Sequence, residues 1–175
     1  MVIDVQNDYW VPPRRPRDKF LNALRELIDY AHDKGILVIY IKHASLKKSK
    51  GRFQEGTPGF AIHSSVRPAE DDIIIVKHTP GAFYETNLGE ILQLNNIENL
   101  IISGIQIQKC CDTTTREASA RKYNCYFITD AVETFNLVDH NGDIIGRDEI
   151  ARATFATLKN GFANVVSFEE LKGTA

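Results

Sequence analysis

Short continuous apolar runs alternate along the chain with longer stretches in which apolar residues recur every three or four positions. Residues 2–5 (Val2, Ile3, Asp4, Val5) read as a buried strand. From Asp18 to Lys34 the residues Phe20, Leu21, Leu24, Leu27, Ile28 and Ala31 form one stripe of a helix, and Gly35 stands at its C′ position. Ile36–Ile41 is a continuous apolar run with β-branched bias, hence a strand. Ile73–Val76, Leu100–Ile102, Cys125–Ile128 and the short Val165–Val166 repeat that signature. Leu88–Leu94, Cys110–Lys122 and Asp148–Asn160 predict helices, the last stopped by Gly161. Continuous apolar strands separated by helices predict an α/β fold. It is a doubly wound, mostly parallel sheet of about six strands with helices on both faces. No repeat, low-complexity stretch or linker interrupts the pattern, so residues 1–175 are expected to form a single domain.

Residues 43–70 carry little periodicity and hold Gly51, Gly56, Pro58, Gly59 and Pro68. A loop of that length inside a domain points to function. A formal net charge of -2 with 25% charged residues gives no electrostatic reason to expect nucleic acid or an anionic membrane as partner. The clusters Arg14-Arg15-Pro16-Arg17 and Lys47-Lys48-Ser49-Lys50 are short and read as solvated loop charge. No apolar run reaches the roughly 20 residues of a membrane span. Three cysteines, two of them adjacent, make no disulfide framework, and no secretory leader pattern opens the chain. A reducing, cytoplasmic setting is the expectation. Met1 leads directly into the first strand, which leaves open a longer natural start.

In open parallel sheets the ligand lies beyond the carboxyl ends of the strands, where strand order reverses. Three ionisable groups end or follow strands here: Asp4 in VIDVQND, Lys77 in IIIVKHT, and Cys110, six residues after Gly104. A buried carboxylate and a buried ammonium are far less costly as a pair than apart. A structural ion pair with an unrelated packed cysteine remains open on spacing alone. If the helix begins near Cys110, its dipole and Lys77 should both lower the thiol pKa. Cys111 and Cys125 read as small buried hydrophobes.

The segments VIDVQNDYW, EGTPGFAIH, IIIVKHTPGAFYETNLGEIL, ISGIQIQKCCDTTTREA and ITDAVETF occur in this order. They resemble the successive motifs of the isochorismatase-like cysteine hydrolases, over about residues 2–168. The resemblance implies that family's hydrolase fold and an Asp–Lys–Cys triad, which maps to Asp4, Lys77 and Cys110. It also implies a cis peptide at Ile105–Gln106 and an oxyanion hole made by the Gln106 and Cys110 backbone N–H groups. A thioester mechanism on a small amide or ureido compound follows, with no cofactor. The alternative is hydrolysis of an enol ether, which uses the aspartate and does not need the thiol. A binding protein that keeps the fold without the activity is a third reading. Members are commonly dimers or tetramers, so a homo-oligomer is expected.

The sequence also departs from part of that family. Nicotinamidase-type members carry an Asp-x-His metal site after the second strand, with two further histidines. Here the stretch IYIKHASLKKSKGRF holds His43 without an aspartate at that spacing, and His63 and His78 add no ligand pair. No metal is expected. His43 reads as a structural hydrogen-bonding residue at a strand end, and His32 and His140 as surface residues. Asp8 reads as a capping or turn residue and Gln6 as an orienter of nearby backbone. The loop over 43–70 should cover the entrance, with Arg52, Phe53 and Phe60 as contacts. Tyr9, Trp10, Phe83, Tyr84 and Ile105 are candidate pocket walls, with ordinary packing as the competing role. The sequence leaves the substrate unnamed.

Overall fold

The computed structural model describes residues 1–46 and 51–173. The second basic cluster, Lys47 to Lys50, lies outside the described residues. Six parallel strands form the main sheet: β1 (Val2–Ile3), β2 (Ile39–His43), β3 (Ile73–Lys77), β4 (Asn99–Ile105), β5 (Asn124–Glu133) and, last in the chain, an edge strand at Asn164–Val166. Their spatial order is β3, β2, β1, β4, β5 and then that edge strand. The chain winds outward from β1 to β3, then returns to start β4 on the other flank. The reversal therefore lies between β1 and β4, where a parallel sheet opens a crevice at its carboxyl end.

Helices cover both faces. On one face lie α1 (Asp18–Asp33) and a short C-terminal helix, Phe168–Lys172. They bury Phe20, Leu24, Leu27, Phe168 and Leu171 with Val2, Tyr40 and Ile128 of the sheet. On the other lie α2 (Leu88–Leu94), α3 (Asp112–Ala120) and α4 (Arg147–Lys159), whose Leu88, Leu92, Ala118, Ala151 and Leu158 meet Ile3, Ile41, Ile75, Ile102 and Phe127. Odd and even strand residues thus feed separate cores, as burial on both faces requires. Gly35 ends α1 with φ +64, and Ile36 N–H reaches back to Ala31 O at 2.8 Å.

Several boundaries differ from the sequence reading. β2 starts at Ile39 rather than Ile36, because β1 first pairs with it at Tyr40, opposite Val2. β5 runs on to Glu133, following β4 through a register shift between Ile102 and Gly104. The pattern also leaves out an antiparallel hairpin, Leu137–Val138 with Ile144–Ile145, around Asn141-Gly142. The C-terminal helix is marked by a capping box between Ser167 and Glu170 that apolar periodicity does not reveal. The 43–70 stretch is not structureless: it contains 3-10 turns at Pro58–Phe60 and Ser64–Val66. Arg17, expected in solvated loop charge, instead donates its backbone N–H, Nε and Nη2 to the fully buried Glu133 carboxylate at 2.9–3.0 Å.

Candidate active site

The strand ends bring the three predicted side chains together. Asp4 directly follows β1 in the left-handed region, φ +54, a conformation that aspartate tolerates better than bulky residues. Its N–H donates to Ile41 O at 2.8 Å and its carbonyl accepts Gln6 N–H at 2.8 Å. Lys77 closes β3. Its Nζ donates to Asp4 Oδ2 at 2.8 Å and to Thr79 O at 3.0 Å, and neither side chain is exposed at all. The pair spans the end of β2, which lies between their strands. The other carboxylate oxygen, Asp4 Oδ1, has no partner among the described residues that meets hydrogen-bond geometry. The Cys110 thiol is nonetheless close enough to both side chains to perturb them and be perturbed by them.

Cys110 lies in a single π-helical turn, Ile107–Cys111, and α3 opens only at Asp112. Gln106 O accepts the N–H groups of both Lys109 and Cys111 at 3.1 Å. The Ile105–Gln106 peptide is cis. Gly104, φ +120, lets β4 pass close to β1, since a Cβ there would stand 2.1 Å from Ile3 O. Side-chain bonds hold the turn from β5: Thr134 Oγ1 donates to Gln108 Oε1 at 2.6 Å, and Thr134 N–H to Glu133 Oε1 at 2.8 Å. Sequence reasoning missed that brace, although Glu133 and Thr134 stand in ITDAVETF and Gln108 in ISGIQIQKCCDTTTREA.

Electrostatics correct one expectation. The Cys110 thiol is not acidified: it is pushed up to about 12, chiefly by burial and then by the Asp4 carboxylate, with Lys77 opposing both. The helix-terminus argument fails because the sulfur precedes α3 and is only 5% exposed. Burial also raises Asp4, with Lys77 holding it back. Burial pulls Lys77 down most strongly, but Asp4 and Cys110 together outweigh it and leave the ammonium's pKa raised. His43, register partner of Lys77, is lowered to about 4 by burial and then by Lys77, and its Nδ1 is buried without a hydrogen-bond partner among the described residues. The thiol therefore stands neutral beside the Lys77–Asp4 contact.

The segment after β2 folds over these groups. Gln6 fastens it: Nε2 donates to His43 O at 3.1 Å and Phe60 O at 2.9 Å, while Oε1 accepts His43 N–H at 2.8 Å. Asp8 accepts the Phe53 N–H, so it anchors the cover. Phe53 meets Tyr9 at 5.0 Å and His43 at 5.7 Å between ring centroids. Trp10 stacks on His63 at 3.8 Å. Lys42 Nζ stands 3.6 Å over the Phe60 ring.

Of the other candidate walls, Ile105 shares its core with Tyr9 and Phe53, and Phe83 shares one with Cys110. Phe83 is buried against Tyr123 and beneath the Arg121 guanidinium, Tyr84 is exposed, and the Ile105 side chain packs in the α1-side core. A cavity of about 370 Å³ lies at the opposite, amino end of the strands, lined by Met1, Ile39, Leu100 and Tyr126 among others. It is apolar and touches none of the three ionisable groups, so we assign it no part in the chemistry. Among the described residues no three His, Cys, Asp or Glu side chains gather as a metal site, and no helix is long and apolar enough to cross a membrane.

The family model for the isochorismatase domain matches residues 1–170. The chain belongs to the isochorismatase family. It is 31% identical to the uncharacterised isochorismatase family protein YrdC of Bacillus subtilis (strain 168), over 98% of this chain and 92% of that one. Nicotinamidase 3 of Arabidopsis thaliana is 28% identical, covering 98% of this chain and 85% of its own. The crystal structure of an isochorismatase from Pseudomonas putida KT2440 superposes with TM-score 0.88 at 30% identity, over 95% of this chain and 85% of that chain. Members of the isochorismatase family are hydrolases, amidohydrolases among them, and this chain is a hydrolase of that family.

Proposed function

We propose that this isochorismatase-family hydrolase cleaves a C–N bond of a small amide or ureido compound through a thioester on Cys110. One observation carries the reading: a fully buried Asp4–Lys77 pair leaves one carboxylate oxygen, unpartnered among the described residues, beside a neutral thiol. Asp4 accepts the Cys110 proton as the sulfur attacks the carbonyl carbon, and Lys77 offsets the negative charge. The oxyanion meets the backbone N–H groups of Gln106 and Cys110, each such donor being worth about 3–4 kcal/mol. Asp4 returns its proton to the leaving amine or ammonia, then takes one from the water that cleaves the thioester. One carboxylate so serves as base, acid and base again.

A thiol near pKa 12 suits this scheme, because proton transfer accompanies attack and no standing thiolate is needed. With Cys110 only 5% exposed, the scheme also needs the site to open for substrate entry. The competing reading is enol ether hydrolysis, in which a protonated Asp4 delivers its proton to a vinyl carbon. The raised proton affinity of Asp4 favours it. Ammonia release from a panel of small amides and ureides, run beside isochorismate, separates the two. Cys110→Ala should abolish release from the amides while far-UV circular dichroism stays native. Full activity in that variant removes the nucleophile assignment. The three free cysteines suit a reducing, cytoplasmic setting. The exposed Ile74 and Val76 on edge strand β3 suit a homo-oligomer, which sedimentation velocity would detect.

A further inference from the structure

Arg52 stands in the cover segment with its guanidinium half withdrawn from solvent. Its Nε and Nη2 are buried and have no hydrogen-bond partner among the described residues. Those two atoms form one edge of the planar fork, the edge that receives both oxygens of a carboxylate side by side. Buried donors without acceptors are rare in folded chains, and each asks for a reason.

Aromatic faces, not an acceptor, hold the group where it is. The guanidinium carbon lies 5.6 Å from the Tyr9 ring centroid and 5.5 Å from that of Phe53. Asp8 is near enough to act on Arg52 electrostatically, but its carboxylate takes the Phe53 N–H and forms no ion pair with the guanidinium. Arg14 adds positive charge from the same side. Arg14 and Arg147 both stand over Phe135, at 5.9 and 5.8 Å, and the Phe135 ring stacks on Tyr9 at 5.6 Å. Tyr9 in turn senses the charges of Asp4 and Cys110. Tyr9 thus lies within electrostatic reach of Cys110 while the Arg52 guanidinium stands over its ring.

We propose that Arg52 is a carboxylate-binding residue of this site, so that the substrate is a small amide or ureide that also carries a carboxylate. The reaction named in that statement rests on the Cys110 reading, whereas the recognition of an anion does not. A ligand reaching across Tyr9 presents its carbonyl to the sulfur and its carboxylate to the open edge of the fork. Lysine at position 52 would keep the charge and lose the edge.

Succinamate and succinamide share one carbon skeleton and differ only in carboxylate against carboxamide. Ammonia release from each gives a pair of KM values for the wild type, Arg52→Ala and Arg52→Lys. The expected KM for the acid is about 10- to 100-fold below that for the diamide, the scale of a charge-assisted contact. Arg52→Ala should bring that ratio to about one, Arg52→Lys should restore part of it, and kcat should move less than KM. Titration calorimetry of Cys110→Ala, with and without Arg52→Ala, reads binding alone. Tighter binding of succinamate that is lost with Arg52, but without ammonia release from wild type, keeps the carboxylate assignment and overturns the C–N reading. Ammonia release without preference for the acid, or binding no tighter for succinamate than for succinamide, overturns the assignment of Arg52.

Discussion

Replacing Asp4 by asparagine separates two properties that one carboxylate controls: reactivity of the sulfur and proton transfer in turnover. The native thiol, held near pKa 12, is ionised at pH 8 to about one part in ten thousand, since each unit is tenfold. Asp4→Asn removes the like charge and leaves Lys77 facing the sulfur. A cation within about 4–6 Å lowers an acid by roughly 1–3 units. Thiolate rises about 10- to 1000-fold, while the intrinsic nucleophilicity of each thiolate falls with a Brønsted slope of about 0.4–0.5. The net expectation is alkylation of Cys110 by iodoacetamide faster by about 3- to 60-fold at pH 8, followed by peptide mass. Turnover should move the other way, by about 100-fold or more, because nothing remains to carry the proton to the leaving group. The asparagine carbonyl still accepts from Lys77, so the fold should persist with a stability loss of up to about 3 kcal/mol. Alkylation unchanged or slower in a natively folded Asp4→Asn protein would refute the coupling of Asp4, Lys77 and Cys110.

Three other substitutions test separate links. Glu133→Ala strips Arg17 of three hydrogen bonds to a buried carboxylate and should cost about 3 kcal/mol, read as a lower urea midpoint; a change under about 1 kcal/mol would show the pair to be dispensable. Gly104→Ala drives a Cβ against the Ile3 backbone at positive φ and should destabilise by at least about 3 kcal/mol in the same assay. His43 takes its proton near 6.5 when unfolded and only near 4 when folded, so the unfolded chain binds more protons between these values. Stability should therefore be level above about pH 6.5 and decline as pH falls toward 4, and His43→Asn should flatten that arm of the curve.

The parallel sheet was legible because strands buried on both faces must be apolar throughout, as Ile39–Ile41 and Leu100–Ile102 are, and edge strand β3 keeps the same apolar run although its Ile74 is exposed. The meeting of Asp4 and Lys77 was legible from the cost of burying either alone. The thiol pKa was misjudged in sign, because sequence spacing gives neither burial depth nor the true start of α3, two positions beyond Cys110. Arg17 looked like loop charge since its partner lies 116 residues away on β5. The cover over the site was visible only as missing periodicity. Its order comes from Gln6, Asp8 and Asn7 bonding backbone some forty to fifty residues distant, which no local pattern encodes.

Lys77 reaches its carboxylate across the mouth of an intervening strand, joining groups 73 residues apart in the chain. No single hairpin or helix pair holds both ends of that link. The contact can therefore form only once β1, β2 and β3 stand side by side, so this charge pair reports docking of that flank of the sheet as a unit.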